Sequence, residues 1–191
     1  METAIWIVAL LLYLAFRAWY DNWRGPMTKD EVAAFMAKAR AIGGDGNTDP
    51  ATIERFLAED DGREFFMLNL VKVANPDALR KYTQPFMRRL MMRGGHPAFA
   101  AQKLGGHIDS WNVPPDPDWT IVGYMRYRSR RDLADLAFNP AFAAIHKFKI
   151  EGISQTFSFP TRPFMMMMAG PRLWVGLVLA LIAALADLIL R

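Results

Sequence analysis

"EFFMLNLVKVANPDALRKYTQPFMRRLMMRGG", residues 64–95, turns from a strand into a helix at a single point. Its first ten residues are rich in Phe, Leu and Val, side chains that suit a pleated, half-buried surface. Gly62 and Asn75–Pro76 bound the run, so it reads as a strand. Asn75 can cap the helix that follows, with Pro76 at its first position, where a missing N–H costs nothing. Leu79, Tyr82, Phe86 and Leu90 then recur at helical spacing until Gly94–Gly95 stops the pattern. Pro85 lies inside this helix and predicts a kink or a break.

Downstream, "GGHIDSWNV" (105–113) reads as a second strand, "PPDPD" (114–118) as a turn and "WTIVGYMRYRS" (119–129) as a third strand. Ser129 and Asp132 start a second helix through "RDLADLAFNPAFAAIHKFK", interrupted at Asn139–Pro140, and "GISQTFSF" (152–159) is a last strand. Upstream, Thr28 and Glu31 form a capping box ahead of Val32, Phe35 and Met36, and Gly43–Gly44 ends that helix. "GDGNTDP" (44–50) is a loop, and Asp49–Pro50 opens a short helix that ends near "AEDDG".

The order β-α-β-β-α-β is that of a ferredoxin-like α+β domain, with helices on one face of an antiparallel sheet. Phe66, Leu68, Leu70, Ile121 and Phe157 also call for burial of the other face. A second copy of the sheet would supply it, closing a dimeric α+β barrel between two subunits.

Both ends of the chain are apolar. "AIWIVALLLYLAF" (4–16) runs into Arg17, Trp19, Tyr20 and Trp23, and its "MET" start has no basic residue, so it reads as an uncleaved anchor. "LWVGLVLALIAALADLIL" (173–190) lies between Arg172 and Arg191, with Trp174 near its start and a single acid, Asp187, near its far end. Trp19, Tyr20, Trp23, Arg172 and Trp174 are the expected membrane-interface residues. Arg17, Arg24, Arg162 and Arg172 all flank the central domain, so it is expected in the cytoplasm, with a bacterial inner membrane as the expected setting. The chain therefore divides into an N-terminal anchor (1–23), a helical linker region (24–62), the α+β domain (63–161), a Met-rich connector (162–172) and a C-terminal transmembrane helix (173–191). In the connector, Met165–Met168 are adjacent and so cannot all face one metal. They read as a lipid-interfacial joint rather than a copper site.

"FFMLNLVKVANPDALRKYTQPFMRRLMMRGG" and "WTIVGYMRYRSRRDLADLAFNPAFAAIHK" resemble the dimeric α+β barrel superfamily, nearest its small bacterial domains of unknown function and EthD-like members. The matching features are "MLNLVKV", the N-P-D helix start, the paired glycines, "IVGYMRYRS" and the "FNPAF" break, all within residues 64–160. The resemblance implies a pocket between sheet and helices or within the barrel. It is a likeness of fold and carries no catalytic signature. Superfamily relatives include cofactor-free monooxygenases, haem-binding or haem-degrading enzymes and lactone isomerases.

For such a pocket the chain offers Asn69, a polar residue on an apolar strand, and Tyr82, Trp111 and Tyr124 as walls or hydroxyls. It also offers His96, His107 and His146, of which His146, among Phe142, Ile145 and Phe148, best suits a haem ligand. Asp109 and Arg126 are expected to pair across strands. Without cysteine there is no thiolate site or disulfide, and no two histidines share a ligand spacing, so neither metal nor cofactor is expected, with haem as a fold-derived alternative. The glycine pairs lack the lysine and Ser/Thr of a phosphate loop. A net charge of +4 without a basic block gives no support for nucleic-acid binding. The expected partners are the bilayer, a second copy and a larger membrane complex. The expected role is a membrane-anchored accessory or binding subunit, with a cofactor-independent oxygenase or isomerase acting on a quinone-like or aromatic substrate as the alternative.

Overall fold

A computed structural model describes residues 2–43, 49–112 and 118–190. Most of the loop expected at 44–50 and of the turn at 114–118 lies outside them, as do Gly44 and Arg191. The elements are α1 (Glu2–Tyr20), α2 (Lys29–Ile42), α3 (Pro50–Ala58), β1 (Phe65–Val73), α4 (Pro76–Met92), β2 (His96–Gln102), β3 (Ile121–Tyr127), α5 (Arg130–Ala137), α6 (Pro140–Gly152), β4 (Ile153–Thr161) and α7 (Pro171–Ile189).

Local chemistry starts these helices where expected. Thr28 and Glu31 make a complete capping box. Asp49, Asn75 and Asn139 each accept backbone N–H groups in front of a proline at the first helical turn. Such caps contribute about 1 kcal/mol each. Ser129 caps α5. Helix α4 runs through Pro85 as one continuous element, where a kink or a break was expected.

The four strands form one antiparallel sheet in the order β2-β3-β1-β4. Phe65 pairs with Tyr127 and Met67 with Met125, and these rows pack under Leu90, Leu136, Phe142, Tyr82 and Phe86 as the main core. Phe65 and Tyr127 stack at 5.2 Å, and Phe142 meets the edges of both Tyr82 and Phe86. Gly152 sits where α6 crosses α4, because a Cβ there would come within 2.6 Å of the Leu79 backbone nitrogen. A second cluster, Val32, Phe35, Met36, Leu57 and Ala134, joins α2 and α3 to α5. Helices α2 and α3 are thus packed against the domain. Arg131 fixes it through Glu31 and the carbonyls of Gly25 and Pro26.

The second strand differs from the sequence reading. It is His96–Gln102, and residues 105–112, where the strand was expected, are non-strand and exposed. "HPAFAAQ" has weak strand propensity and contains a proline, so nothing local marks it. It is an edge strand shaped by pairing with β3, and an edge is where a sheet tolerates proline.

The even-numbered residues of β1 project to the face away from the helices. Leu68 lies between Tyr124 and Phe159, Leu70 between Val122 and Phe157, and Phe99 is opposite Tyr124. Phe99, Phe157 and Phe159 are exposed there. Ile121 pairs with Val71, in the register of the helix-covered face, contrary to expectation.

Helices α1 and α7 stand outside this body and contact each other. Both are long and apolar enough to cross a membrane, and only 6% of each apolar window is buried, unlike the core helix of a globular domain. The Tyr13 hydroxyl donates to the Arg172 carbonyl, and the Tyr13 ring lies against Gly176, where a Cβ would sit 3.4 Å from it. Ala183 and Asp187, one turn apart on α7, are buried.

Candidate functional site

Polar chemistry concentrates where α1 and α7 meet the sheet. The end of α1 brings Trp19, Tyr20 and Asp21 there, and the start of α7 brings Arg172. From the sheet come Glu64, just before β1, and Arg126 and Arg128 at the end of β3.

Arg126 is at the centre and only 1% exposed. Its Nε donates to Glu64 at 2.8 Å and its terminal nitrogens to Glu64 and to the carbonyls of Tyr20 and Gly94. Its guanidinium lies 3.8 Å from the centre of the Tyr20 ring. Planar arginine suits this position, because it stacks on an aromatic face while its fork meets a carboxylate. Arg172 donates to both Glu64 oxygens and to Asp21, and Asp21 also receives Arg17. Arg128 grips Asp132 with two bonds of 2.8 Å and donates to the Trp19 carbonyl. The Tyr20 hydroxyl shares a 2.8 Å hydrogen bond with His96 Nε2, and Trp19 donates to the Met92 carbonyl.

The result is a collar, Arg126–Glu64–Arg172–Asp21–Arg17, that ties both apolar helices to the domain. Burial pushes the Glu64 carboxyl upward, but Arg172 and Arg126 outweigh it and hold the group below its ordinary range. Asp21, opposed in the same way by burial, is also held down by Arg17 and Arg172. Paired and hydrogen-bonded on several sides, these charges form a structural lock, because removing one partner would strand the others.

Two recesses open beside the collar. One, of about 310 Å³, is lined by Arg63, Phe66, Arg162 and the connector residues Phe164–Met166. The other, of about 440 Å³, lies among Arg17, Asp21, Trp23, Arg63, Glu64, Arg128 and Arg172. Phe164 and Met165–Met168 are strongly exposed, a greasy edge next to the start of α7.

The residues expected to form a pocket do not share one. Asn69 donates to the Met67 carbonyl and accepts from Ser158, inside the sheet. Tyr82 is core, and burial lifts its phenol to about 12. Tyr124 is half-buried on the open face, and His146 is half-buried on α6. His107 and Trp111 are exposed in the loop after β2, not on a strand. His96 begins β2 and joins the collar. Asp109 is exposed and far along the loop from Arg126, whose partner is Glu64. Among the described residues no group of three or more His, Asp or Glu could hold a metal ion. Tyr20 and Arg172 were expected at the membrane interface; Tyr20 is instead buried against Arg126, and Glu64, Asp21 and Arg128 were not singled out by the sequence. The available signal was Arg126 itself, a charge in the same alternating row as Val122 and Tyr124.

No family model matches the chain, and no curated relative was found. Among solved structures the chain is similar to RPA0582, a protein of unknown function from Rhodopseudomonas palustris. The TM-score is 0.54 at 20% identity, with 65% of this chain covering all of that one. Methylated RPA0582 matches with a TM-score of 0.52 at 19% identity, over 65% of this chain and 98% of that one. These likenesses concern the fold. About a third of this chain has no counterpart in that protein.

Proposed function

We propose that the protein is a membrane-anchored binding or accessory subunit whose ferredoxin-like domain pairs with a second copy through its open sheet face. The collar carries this reading, because a freely diffusing domain has no use for a lock, centred on the buried Arg126, that fixes its sheet relative to two exposed apolar helices. Each helix has 19 residues, about 28 Å at 1.5 Å per residue, which matches a hydrocarbon core. Arg17, Arg24, Arg162 and Arg172 beside the domain favour a cytoplasmic location. Exposed Trp19, Trp23 and Trp174 suit the interface, and Met165–Met168 suit a connector lying on lipid.

Phe99, Phe157 and Phe159, with half-buried Leu68, Leu70 and Tyr124, make an apolar patch on one face of an antiparallel sheet. A two-fold pairing matches such a patch with itself and closes the dimeric α+β barrel. The dispersal of Asn69, Tyr82, Tyr124 and the histidines favours binding over oxygenase, isomerase or haem chemistry. Because the chain has no cysteine, the test is clean. Phe157→Cys in the full chain, in native membranes with a bifunctional maleimide, is expected to give a species of doubled mass. Arg80→Cys, at an exposed position of α4, is expected to give no cross-linked species. A Phe157→Cys protein that remains monomeric, or links only to a different polypeptide, refutes the homodimer.

A further inference from the structure

The larger recess at the collar is more than a by-product of the lock. Five arginines line it against two carboxylates, and a positive surplus persists after Asp132 is counted against Arg128. Arg126 is consumed by its four partners, but others are not. The Arg63 side chain is exposed and has no acidic partner among the described residues. Arg17 and Arg172 keep 37% and 39% of their side-chain surface accessible despite their carboxylates. Trp23 stands at the mouth, 67% exposed.

The position of this cleft gives the charge its meaning. It lies where α1 and α7 leave the domain, with lining residues within two positions of Trp19 along the chain and of Trp174 along α7. We propose that the cleft binds a phosphate-bearing anion supplied by the bilayer, the headgroup of an anionic phospholipid, with Arg63, Arg17 and Arg172 facing the phosphate and Trp23 beside the glycerol backbone. This rests on α1 and α7 being bilayer helices. A phosphodiester offers the paired oxygens that guanidinium forks recognise, and desolvation beside the apolar helices strengthens each contact. A lipid there would add an external anion to a collar that is short of carboxylates and would tighten the attachment of both helices. A soluble phosphate compound could use the same arginines, so the source has to be tested directly.

The experiment is native mass spectrometry of the full chain released from nonionic-detergent micelles doped with phosphatidylglycerol. One phosphatidylglycerol is expected to survive release on the wild type. Arg63→Gln, a surface change that leaves the lock intact, is expected to weaken retention about fivefold, the scale of one basic residue at an anionic surface. Arg80→Gln, on α4, is expected to change nothing. Equal retention by Arg63→Gln and wild type overturns the site. Inorganic phosphate added to lipid-free nonionic-detergent micelles is expected to leave no adduct. A phosphate adduct that Arg63→Gln abolishes overturns the lipid source while keeping the anion chemistry. Flotation with phosphatidylcholine liposomes tests the anchors separately: a protein that fails to float refutes the bilayer reading, whatever the cleft binds.

Discussion

Replacing Arg126 with methionine keeps an unbranched apolar stem and removes the guanidinium at the centre of the collar. The guanidinium is 1% exposed, so water cannot take over its role. The carbonyls of Tyr20 and Gly94 would lose their donors, at about 1 kcal/mol or more each for a buried unsatisfied acceptor. Glu64 would keep Arg172 alone, and breaking a buried pair costs about 3–5 kcal/mol when nothing compensates. The contact with the Tyr20 ring adds about 1 kcal/mol. These costs share atoms and Arg172 remains, so the net is set at the low end, about 3 kcal/mol. For a chain of this size that lowers Tm by about 6–12 °C. The assay is thermal unfolding of the full chain in mild detergent, followed by circular dichroism. Arg126→Lys should fall between variant and wild type, because an ammonium restores charge but not the fork. Limited trypsinolysis should also show earlier cutting at Arg24, just beyond the released end of α1. If Arg126→Met melts within about 2 °C of wild type, the collar is not a lock and its role in the proposed function fails.

Acid should loosen the protein before base does. Glu31, hydrogen-bonded by Arg131 and the Thr28 backbone, is held at about 2, and Glu64 is also held below its ordinary range. Such carboxyls bind protons less readily folded than unfolded, so their stabilisation is complete above about pH 4.3 and is lost as the pH falls toward about 2. Tm measured against pH should drop through that window, and Glu31→Gln should flatten part of the drop; an unchanged profile contradicts the assignment. Gly152→Ala should destabilise by about 1–3 kcal/mol, because its Cβ would press on the Leu79 backbone, which cannot rotate away. A neutral result in the same melt would mean that α6 and α4 are not held this close.

The helices were legible because their signals are local. Asp49–Pro50, Asn75–Pro76 and Asn139–Pro140 each place a cap and a preset φ within one turn of the helix they start, and Thr28 with Glu31 does the same. Apolar length alone marked α1 and α7. Strand β2 was misplaced because "HPAFAAQ" carries no strand signal of its own; its hydrogen bonds are to β3, some twenty or more residues later in the chain. The pocket candidates were chosen by residue type, and type does not say which side of a sheet a residue faces or what crosses it.

Sequence by itself determined the order of elements, their caps and the two apolar ends, because these depend on neighbours within a few residues. Tertiary structure alone decided the collar. Arg126 meets Glu64, Gly94 and Tyr20 across separations of 62, 32 and 106 residues. Coulomb attraction and stacking depend on distance in space, and only folding brings the end of α1, the start of α7 and the end of β3 within hydrogen-bonding reach.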